Sequence, residues 1–195
     1  MDSAELVIPG LDREDIGSLL NTRILPQYCE MVRRMQVGEC PFCQLNTEIN
    51  KVILENERWR AWDTPFNAER DHLERHVVIA HRKHVTHLRD VDYTDGGTFF
   101  EILRALALPD NVSGGGELTR FGDPARNAGS IRHLHSNFYL PDGTGELRLP
   151  LCKNPEDIAE KMKVIRVFEK MRLGASFGTL EPEEQDLVRD RLEVK

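Results

Sequence analysis

The sequence has no long apolar run, which excludes a membrane-spanning segment, and we expect no membrane partner. Its first residues are acidic and lack a basic leader followed by an apolar core, so we expect no signal peptide. The hydrophobic fraction of 39% and the charged fraction of 30% are typical of a soluble globular protein. For these 195 residues we expect a cytoplasmic protein with one domain of ordinary size and helical extensions.

Basic residues are outnumbered by acidic residues. The chain has 26 lysine and arginine residues against 33 aspartate and glutamate residues, which gives a net charge of -7. Non-specific nucleic-acid binding depends on a basic surface, so we expect no polynucleotide partner. A small anionic ligand in a local pocket remains compatible with this charge.

Cysteines are few, and only Cys40 and Cys43 are close in sequence. A disulfide framework is therefore not expected, whereas metal binding or redox chemistry is. The C-P-F-C motif at residues 40–43 fits either a thioredoxin-like redox pair or half of a zinc site. The redox interpretation needs a buried strand before the motif, but a helical pattern and Gly38 precede it here. The zinc interpretation needs two more ligands, and the chain has seven histidines.

Hydrophobic periodicity predicts alternating groups of helices and short strands. The helical patterns lie in residues 12–37, with Pro26 splitting or kinking them, within 90–108, in 154–174 and in a short stretch from Glu181. The strand patterns lie in residues 51–55, 59–63, 76–80, 117–121 and 130–140, with a charged connector at 71–75.

This order of elements indicates an α+β domain with a mostly antiparallel sheet and flanking helices. We predict that residues 38–152 form this domain. Residues 1–37 are predicted to be an N-terminal helical extension, and residues 153–195 a C-terminal helical extension packed on the same domain.

The predicted strand at residues 130–140 carries an unusual set of polar side chains. Alternation along a strand places His133, His135 and Asn137 on one face, with about 6.5 Å between residues two apart. Two imidazoles at that spacing can serve one site in different roles. The alternative is a polar face that holds two solvated histidines. The preceding residues, 122–130, form a glycine-containing loop of the kind whose backbone N–H groups approach anions.

Three segments, in order, resemble the histidine triad (HIT) superfamily of nucleotide hydrolases and transferases. They are residues 40–43 (C-P-F-C), 76–84 (H-V-V-I-A-H-R-K-H) and 129–137 (G-S-I-R-H-L-H-S-N). Their order and spacing match that family across roughly residues 38–142, and residues 120–135 are most similar to bacterial and archaeal members. The resemblance implies a HIT-like fold, a small-molecule nucleotide as partner and, by analogy with homodimeric relatives, a homodimer.

The resemblance also implies roles for individual residues. The family's nucleophile corresponds to His135, which is expected to attack an α-phosphorus and to form a nucleotidyl–imidazole intermediate. A neutral imidazole is nucleophilic near pH 7, and a backbone carbonyl on its other nitrogen would set the tautomer. In zinc-containing relatives similar to galactose-1-phosphate uridylyltransferase, the metal ligands correspond to Cys40, Cys43, His84 and His133. Two thiolates and two imidazoles form a closed structural zinc site without an open position for water.

Further residues follow from the same resemblance. Asp63 corresponds to an acidic residue that binds ribose hydroxyls, and Ser130 to a small polar residue near the leaving group. The loop around Asn127, Gly129 and Ser130 is expected to hold the phosphate with its amides. A set of arginines could add positive charge there, namely Arg120, Arg126 and Arg132, but arginines are more often solvated surface groups.

Asn137 departs from the family, which has a third histidine at this position. Asparagine cannot titrate, but its amide can orient a phosphate oxygen, so we expect Asn137 both in the catalytic set and among the nucleotide-binding residues. Transferases and dinucleoside polyphosphate phosphorylases carry glutamine near this place, which favours nucleotidyl transfer over simple hydrolysis. The alternative is a non-catalytic HIT-fold module that binds nucleotides or partners and uses zinc for stability.

Overall fold

The computed structural model describes residues 12–13, 16–64, 72–109, 111–127, 129–149, 151 and 154–193. Its strands are β1 (Asp12–Arg13), β2 (Gly17–Ser18), β3 (Val52–Glu55), β4 (Trp59–Asp63), β5 (Leu73–His81), β6 (Gly116–Arg120) and β7 (His135–Pro141). Its α-helices are α1 (Leu25–Val37), α2 (Tyr93–Ala107), α3 (Pro124–Asn127), α4 (Pro155–Arg172) and α5 (Pro182–Val188).

Five strands form one sheet in the order β3-β4-β5-β7-β6, and every neighbouring pair is antiparallel. One face packs against α2, because apolar residues alternate along the strands. The buried members of this core are Trp59, Ala61, Val77, Ile79, Ile102, Leu106, Leu134, Phe138 and Leu140. The predicted α+β class and the mostly antiparallel sheet are confirmed.

A second core joins the two ends of the chain. Helices α1, α4 and α5 pack together, and their buried members include Tyr28, Val32, Ile165, Phe168 and Val188. Burying each such side chain fully contributes about 1.5–3 kcal/mol. The predicted start of α4 is confirmed: the Asn154 side chain caps it, and Pro155 occupies the first turn. The division into a domain and two extensions stays a prediction, and its boundary at residue 152 lies outside the described residues.

The helix predicted from Asp12 is wrong in its first half. Residues 12–24 contain β1, β2 and a 3₁₀ turn, and α1 begins at Leu25. Pro26 lies in the first turn, where its missing N–H costs nothing, so it starts the helix and does not kink it. Gly17 approaches the loop before β7 so closely that a Cβ there would clash with the Ser130 carbonyl oxygen. The backbone of this part thus binds a distant loop, which local periodicity cannot indicate.

Two strand boundaries also differ from the prediction. β5 begins at Leu73, inside the predicted charged connector, because Leu73 and Arg75 pair with the end of β7; Asp71 lies outside the described residues. β7 begins only at His135, since the backbone before it is bonded elsewhere: Arg132 N–H donates to the Ile16 carbonyl (2.7 Å) and Leu134 N–H to the Val85 carbonyl (2.6 Å). His133 therefore precedes the strand that carries His135 and Asn137.

Candidate functional site

The structure brings together all four residues that the sequence indicated as metal ligands. Cys40 and Cys43 lie in the turn after α1, His84 follows β5, and His133 precedes β7. One ligand atom from each residue lies within 4.8 Å of all the others. The Sγ–Nδ1 distance is 3.3 Å for Cys40 with His133 and 3.3 Å for Cys43 with His84. For Cys43 with His133 it is 3.6 Å.

The three sulfur–nitrogen distances and this donor set fit zinc. A tetrahedral ion with Zn–S and Zn–N bonds of about 2.3 and 2.05 Å separates its ligand atoms by about 3.4–3.8 Å. The His133 Nε2–H donates to the His81 carbonyl (2.6 Å), so Nδ1 keeps its lone pair and faces the sulfurs. Burial lowers the pKa of His133 to about 3, which keeps the imidazole neutral, as a metal ligand must be. Four protein ligands complete a tetrahedron.

In His135 the two ring nitrogens have the reverse roles from those in His133. Its Nδ1–H donates to the His133 carbonyl at 2.6 Å, because a carbonyl can only accept. The Nε2 atom therefore carries the lone pair. The side chain is buried, and this burial, together with the positive charges of Arg120 and Arg23, lowers the pKa of His135 to about 4. His135 is thus a neutral imidazole with a fixed tautomer.

A cavity of about 180 Å³ lies between the sheet face opposite α2, helix α1 and the turn that contains Cys40 and Cys43. His135, Asn137, Ser130 and Gly129 line it together, so the structure assembles these four predicted residues. Much of the remaining wall is apolar and is formed by Met31, Phe42, Leu45, Ile49, Trp62, Val78 and Ile131.

Phe42 connects this cavity to the metal cluster, by which we mean the four side chains of Cys40, Cys43, His84 and His133. Its ring lies edge-on to Trp62 and to His135, with 5.1 Å between ring centroids in each pair. It also lies 5.7 Å from the ring of His133. Because Phe42 stands between Cys40 and Cys43, any ion that fixes the two sulfurs also fixes one wall of the cavity.

Two predicted nucleotide-binding residues are not brought to the cavity. Asp63 is ion-paired with Arg75, with carboxylate–guanidinium distances of 2.6 and 3.1 Å. Its neighbours Trp62 and Thr64 line the cavity instead, because successive side chains of a strand face opposite ways. Asn127 bonds within the loop: its side chain accepts from Gly129 N–H (2.7 Å) and donates to the Phe121 carbonyl (2.7 Å). Asn127 thus shapes the loop that presents Gly129 and Ser130.

His76 is a cavity residue that the sequence did not indicate. It is buried on β5, and its Nε2 lies 2.9 Å from the Asn137 Oδ1. An amide oxygen can only accept, so His76 donates this bond and turns the Asn137 amide nitrogen away from itself, towards the Leu118 carbonyl at 3.4 Å. The pairing of β5 with β7 could have indicated this residue. Val78 pairs with Asn137, and His76 lies two residues from Val78 on the same face of β5.

The segment before α1 also supplies cavity residues, although the sequence pattern predicted that this segment is helical. Asn21 and Arg23 line the cavity, as does one face of α1, namely Pro26, Gln27, Glu30, Met31 and Arg34. The Asn21 side-chain amide donates to the Gly129 carbonyl at 2.7 Å, which ties this segment to the loop. A hydrophobic pattern shows that a segment is buried but not which cavity it borders.

Among the described residues, no helix has the length and apolar character needed to cross a membrane. No protein-family model matches the chain, and no curated protein matches it. Solved structures are similar to it. A HIT family hydrolase from Legionella pneumophila Philadelphia 1 is 23% identical with a TM-score of 0.40, and the match covers 57% of this chain and 98% of that one.

Two further structures carry related names. A histidine triad protein from Clostridium difficile is 20% identical (TM-score 0.42; 58% of this chain, 96% of that chain). A Zn-bound histidine triad family protein from Mycobacterium smegmatis is 16% identical (TM-score 0.39; 71% and 99%). At such identities and TM-scores, we base function on the side chains of the site.

Proposed function

We propose that this chain is a histidine triad protein that acts on the α-phosphate of a nucleotide through a nucleotidyl–His135 intermediate. The observation that carries this proposal is the fixed tautomer of His135. This residue lines the cavity, and its Nδ1–H donates to the His133 carbonyl. A buried, neutral imidazole with a free Nε2 is an activated nucleophile.

The reaction has two balanced steps. The His135 Nε2 lone pair forms a bond to the α-phosphorus, while the bond from phosphorus to the leaving group breaks and the leaving group takes the electron pair. Water or another acceptor then forms a bond to the same phosphorus. The N–P bond breaks in that step, and the electron pair returns to Nε2. An acceptor other than water makes the enzyme a nucleotidyl transferase or phosphorylase.

Neighbouring groups hold the phosphate for these steps. Ser130 and the backbone around Gly129 border the cavity beside His135. Asn137 offers an N–H to a phosphate oxygen, since His76 occupies its amide oxygen. The apolar wall that includes Phe42 and Trp62 suits the flat face of a nucleobase.

We also propose that Cys40, Cys43, His84 and His133 hold a structural zinc ion. When bound, the ion supplies folding free energy and fixes the turn with the start of β7. His133 then presents its carbonyl to His135 from a fixed position, and Phe42 keeps its place in the cavity wall. The homodimer that the resemblance implies stays a prediction, and sedimentation analysis of the purified chain tests it.

The test is intact-mass spectrometry after brief incubation with dinucleoside polyphosphates, nucleotide sugars and a nucleoside phosphoramidate, quenched at alkaline pH. We expect an adduct of one nucleoside monophosphate. The adduct should be absent in His135→Ala and present in His72→Ala, a matched control at a half-buried histidine outside the cavity wall. An adduct that persists in His135→Ala overturns the assignment of the nucleophile.

A second candidate function follows from Asn137. An amide cannot donate a proton to a leaving group as a histidine can, and this favours a module that binds a nucleotide without turning it over. Measurable nucleotide binding without adduct or product supports this second function.

A further inference from the structure

A buried histidine–aspartate pair lies on the sheet face that packs against α2. His81 is the last residue of β5 and Asp95 is in the first turn of α2, and they are 2% and 3% exposed. The His81 Nε2–H donates to the Asp95 carboxylate at 3.2 Å. The other ring nitrogen is held by the backbone of Lys83, whose nitrogen and carbonyl oxygen lie 3.2 and 3.1 Å away. His81 shares this face with Val77 and Ile79, and neither member of the pair lines the cavity.

Asp95 and His81 are fixed from further sides. The Asp95 Oδ1 atom forms an ion pair with the Arg58 Nε at 3.1 Å, although the geometry is not that of a hydrogen bond. The backbone carbonyl of Asp95 accepts from the Trp59 Nε1–H at 2.8 Å. The Trp59 ring also lies edge-on to the His81 ring, with 4.9 Å between the centroids. These contacts hold the two side chains of the pair in one arrangement.

The backbone of His81 connects this pair to the metal cluster. The His81 carbonyl accepts from the His133 Nε2–H at 2.6 Å, and the His81 N–H donates to the Leu134 carbonyl at 3.1 Å. The last pair of β5 with β7 is Ala80 with His135, so His81 lies just beyond that ladder. The anchored side chain of His81 therefore sets the direction of its own carbonyl at a point where the pairing with β7 has ended.

Stability alone does not account for a polar pair at this place. The neighbouring core is apolar and includes Ile79, Ile102 and Leu106. Burying a carboxylate is costly, and replacement of a buried ionic group by apolar residues of similar volume is often neutral or stabilising. A hydrogen bond between His81 and Asp95 does give what an apolar pair cannot, which is a fixed direction for the peptide group that His133 contacts.

We propose that Asp95 and His81 are positioning residues for the metal ligand His133, and that they act on it through the sheet. Asp95 orients the His81 side chain, the His81 carbonyl orients the His133 ring, and the His133 Nδ1 then faces the two sulfurs. Outer partners of a ligating histidine fix its ring orientation, and their loss typically weakens metal binding by about 10- to 100-fold. This inference rests on the proposed zinc site and assigns two residues that support it from the opposite side of the sheet.

Zinc affinity tests the role of Asp95. The full chain and its variants are loaded with zinc, and a chromophoric chelator competes for the ion. We expect Asp95→Ala to weaken zinc binding about tenfold or more, because the His81 ring loses its acceptor. Asp92→Ala is the matched control, since Asp92 is exposed at the start of the same helix and makes no side-chain capping bond. Equal zinc affinity in Asp95→Ala and the unaltered chain overturns the proposal.

Two substitutions of His81 test the hydrogen bond itself. His81→Leu removes the donor and should weaken zinc binding about tenfold or more, whereas His81→Gln offers an N–H to Asp95 and should recover part of the loss. The double variant His81→Leu/Asp95→Ala should bind zinc about as weakly as either single variant, because each change breaks the same contact. Losses that add in the double variant contradict a joint action of the pair.

A cobalt spectrum separates positioning from a general loss of stability. With Co²⁺ in place of zinc at saturating concentration, the absorption bands report the arrangement of the ligands around the metal. We expect the bands to change in His81→Leu and to return towards those of the unaltered chain in His81→Gln. Bands that are identical in every variant, with a lower melting temperature, would mean that the pair only stabilises the fold. Should Asp95→Ala not fold, Asp95→Asn keeps the shape of the side chain and should show the same change in smaller measure.

The failure of this inference differs from the failure of the proposed function. An unaltered chain that binds no zinc overturns the zinc site and the positioning role together. An unaltered chain that binds zinc, with equal affinity in Asp95→Ala and His81→Leu, removes the positioning role alone. The nucleotidyl adduct on His135 is measured independently of both.

Discussion

The metal cluster and the cavity are neighbours in the structure but are built by different means. His133 belongs to the first and His135 to the second, and both are buried imidazoles bound to a backbone carbonyl. The carbonyl of His81 takes the Nε2–H of His133, which leaves Nδ1 for the cluster. The carbonyl of His133 takes the Nδ1–H of His135, which leaves Nε2 for the cavity. Two histidines two residues apart thus receive different chemistry from the backbone.

The two regions also differ in their dependence on the rest of the chain. The cluster uses residues in short motifs next to β5 and β7 and in the turn after α1. The cavity needs α1 as a wall, and α1 is held by α4. We therefore expect that mutations in the cluster damage both metal binding and catalysis. Mutations of cavity residues should damage catalysis and leave the metal in place.

The largest effect is expected from Cys40→Ser, which removes a buried sulfur ligand. Structural zinc contributes folding free energy directly, so bound metal should be lost and the melting temperature should fall by roughly 10 °C or more. Metal analysis and thermal unfolding measure both. Cys29→Ser, outside the cluster, is the matched control and should keep its metal. A metal-free protein of normal stability would refute the zinc assignment.

His135→Ala should act on catalysis alone. Removal of the nucleophile should lower turnover by at least about a thousandfold, since the remaining groups only bind and orient. Metal content should stay unchanged, because the cluster uses His133 and not His135. Steady-state kinetics and metal analysis on the same preparation check this. Lost metal in His135→Ala would mean that the two regions are not separable.

A smaller effect is expected at His76. His76→Ala removes the bond that orients the Asn137 amide, and we expect kcat to fall by about tenfold with little change in KM. His76→Gln places an N–H donor near the same oxygen and should recover part of the loss. His72→Ala, outside the cavity wall, serves as the control. Identical kinetics for the alanine and glutamine variants would count against an orienting role.

The smallest effect is expected in the second core. Tyr28 donates to Glu169 at 2.9 Å, and both side chains are buried. Tyr28→Phe should lower the free energy of unfolding by about 1–2 kcal/mol, because Glu169 keeps its ion pair with Arg172. Turnover should not change. Denaturant unfolding measures the loss, with Tyr93→Phe, which is 99% exposed, as the control.

Sequence reasoning succeeded where the information is local. The spacing of Cys40 and Cys43 indicated one half of a metal site, and the resemblance to the histidine triad superfamily supplied His84 and His133. The structure brings these four residues together. The capped start of α4 at Asn154 was equally local, because the cap, the proline and the acidic first turn are consecutive residues.

Its errors share one physical cause. Residues 12–24 and 130–134 make backbone hydrogen bonds to each other and to other distant segments, and this long-range pairing overrides local periodicity. The position of Asp63 depends on which face of β4 borders the cavity, and His76 is recognised only from the register of β5 and β7. Arg23 could not be assigned to a cavity before the fold of the segment was known.

The packing of α1 on α4 has a consequence for biosynthesis. The motifs that form the sheet and the metal cluster emerge from the ribosome before α4, whose Phe168 packs with its ring centroid 5.7 Å from that of Tyr28 on α1. A nascent chain can therefore fold its sheet and load metal while one wall of its cavity still lacks support. Under the proposed function, catalytic competence would then arrive late in translation, and a nascent chain arrested before α4 would carry the proposed ion but have little capacity to capture nucleotides.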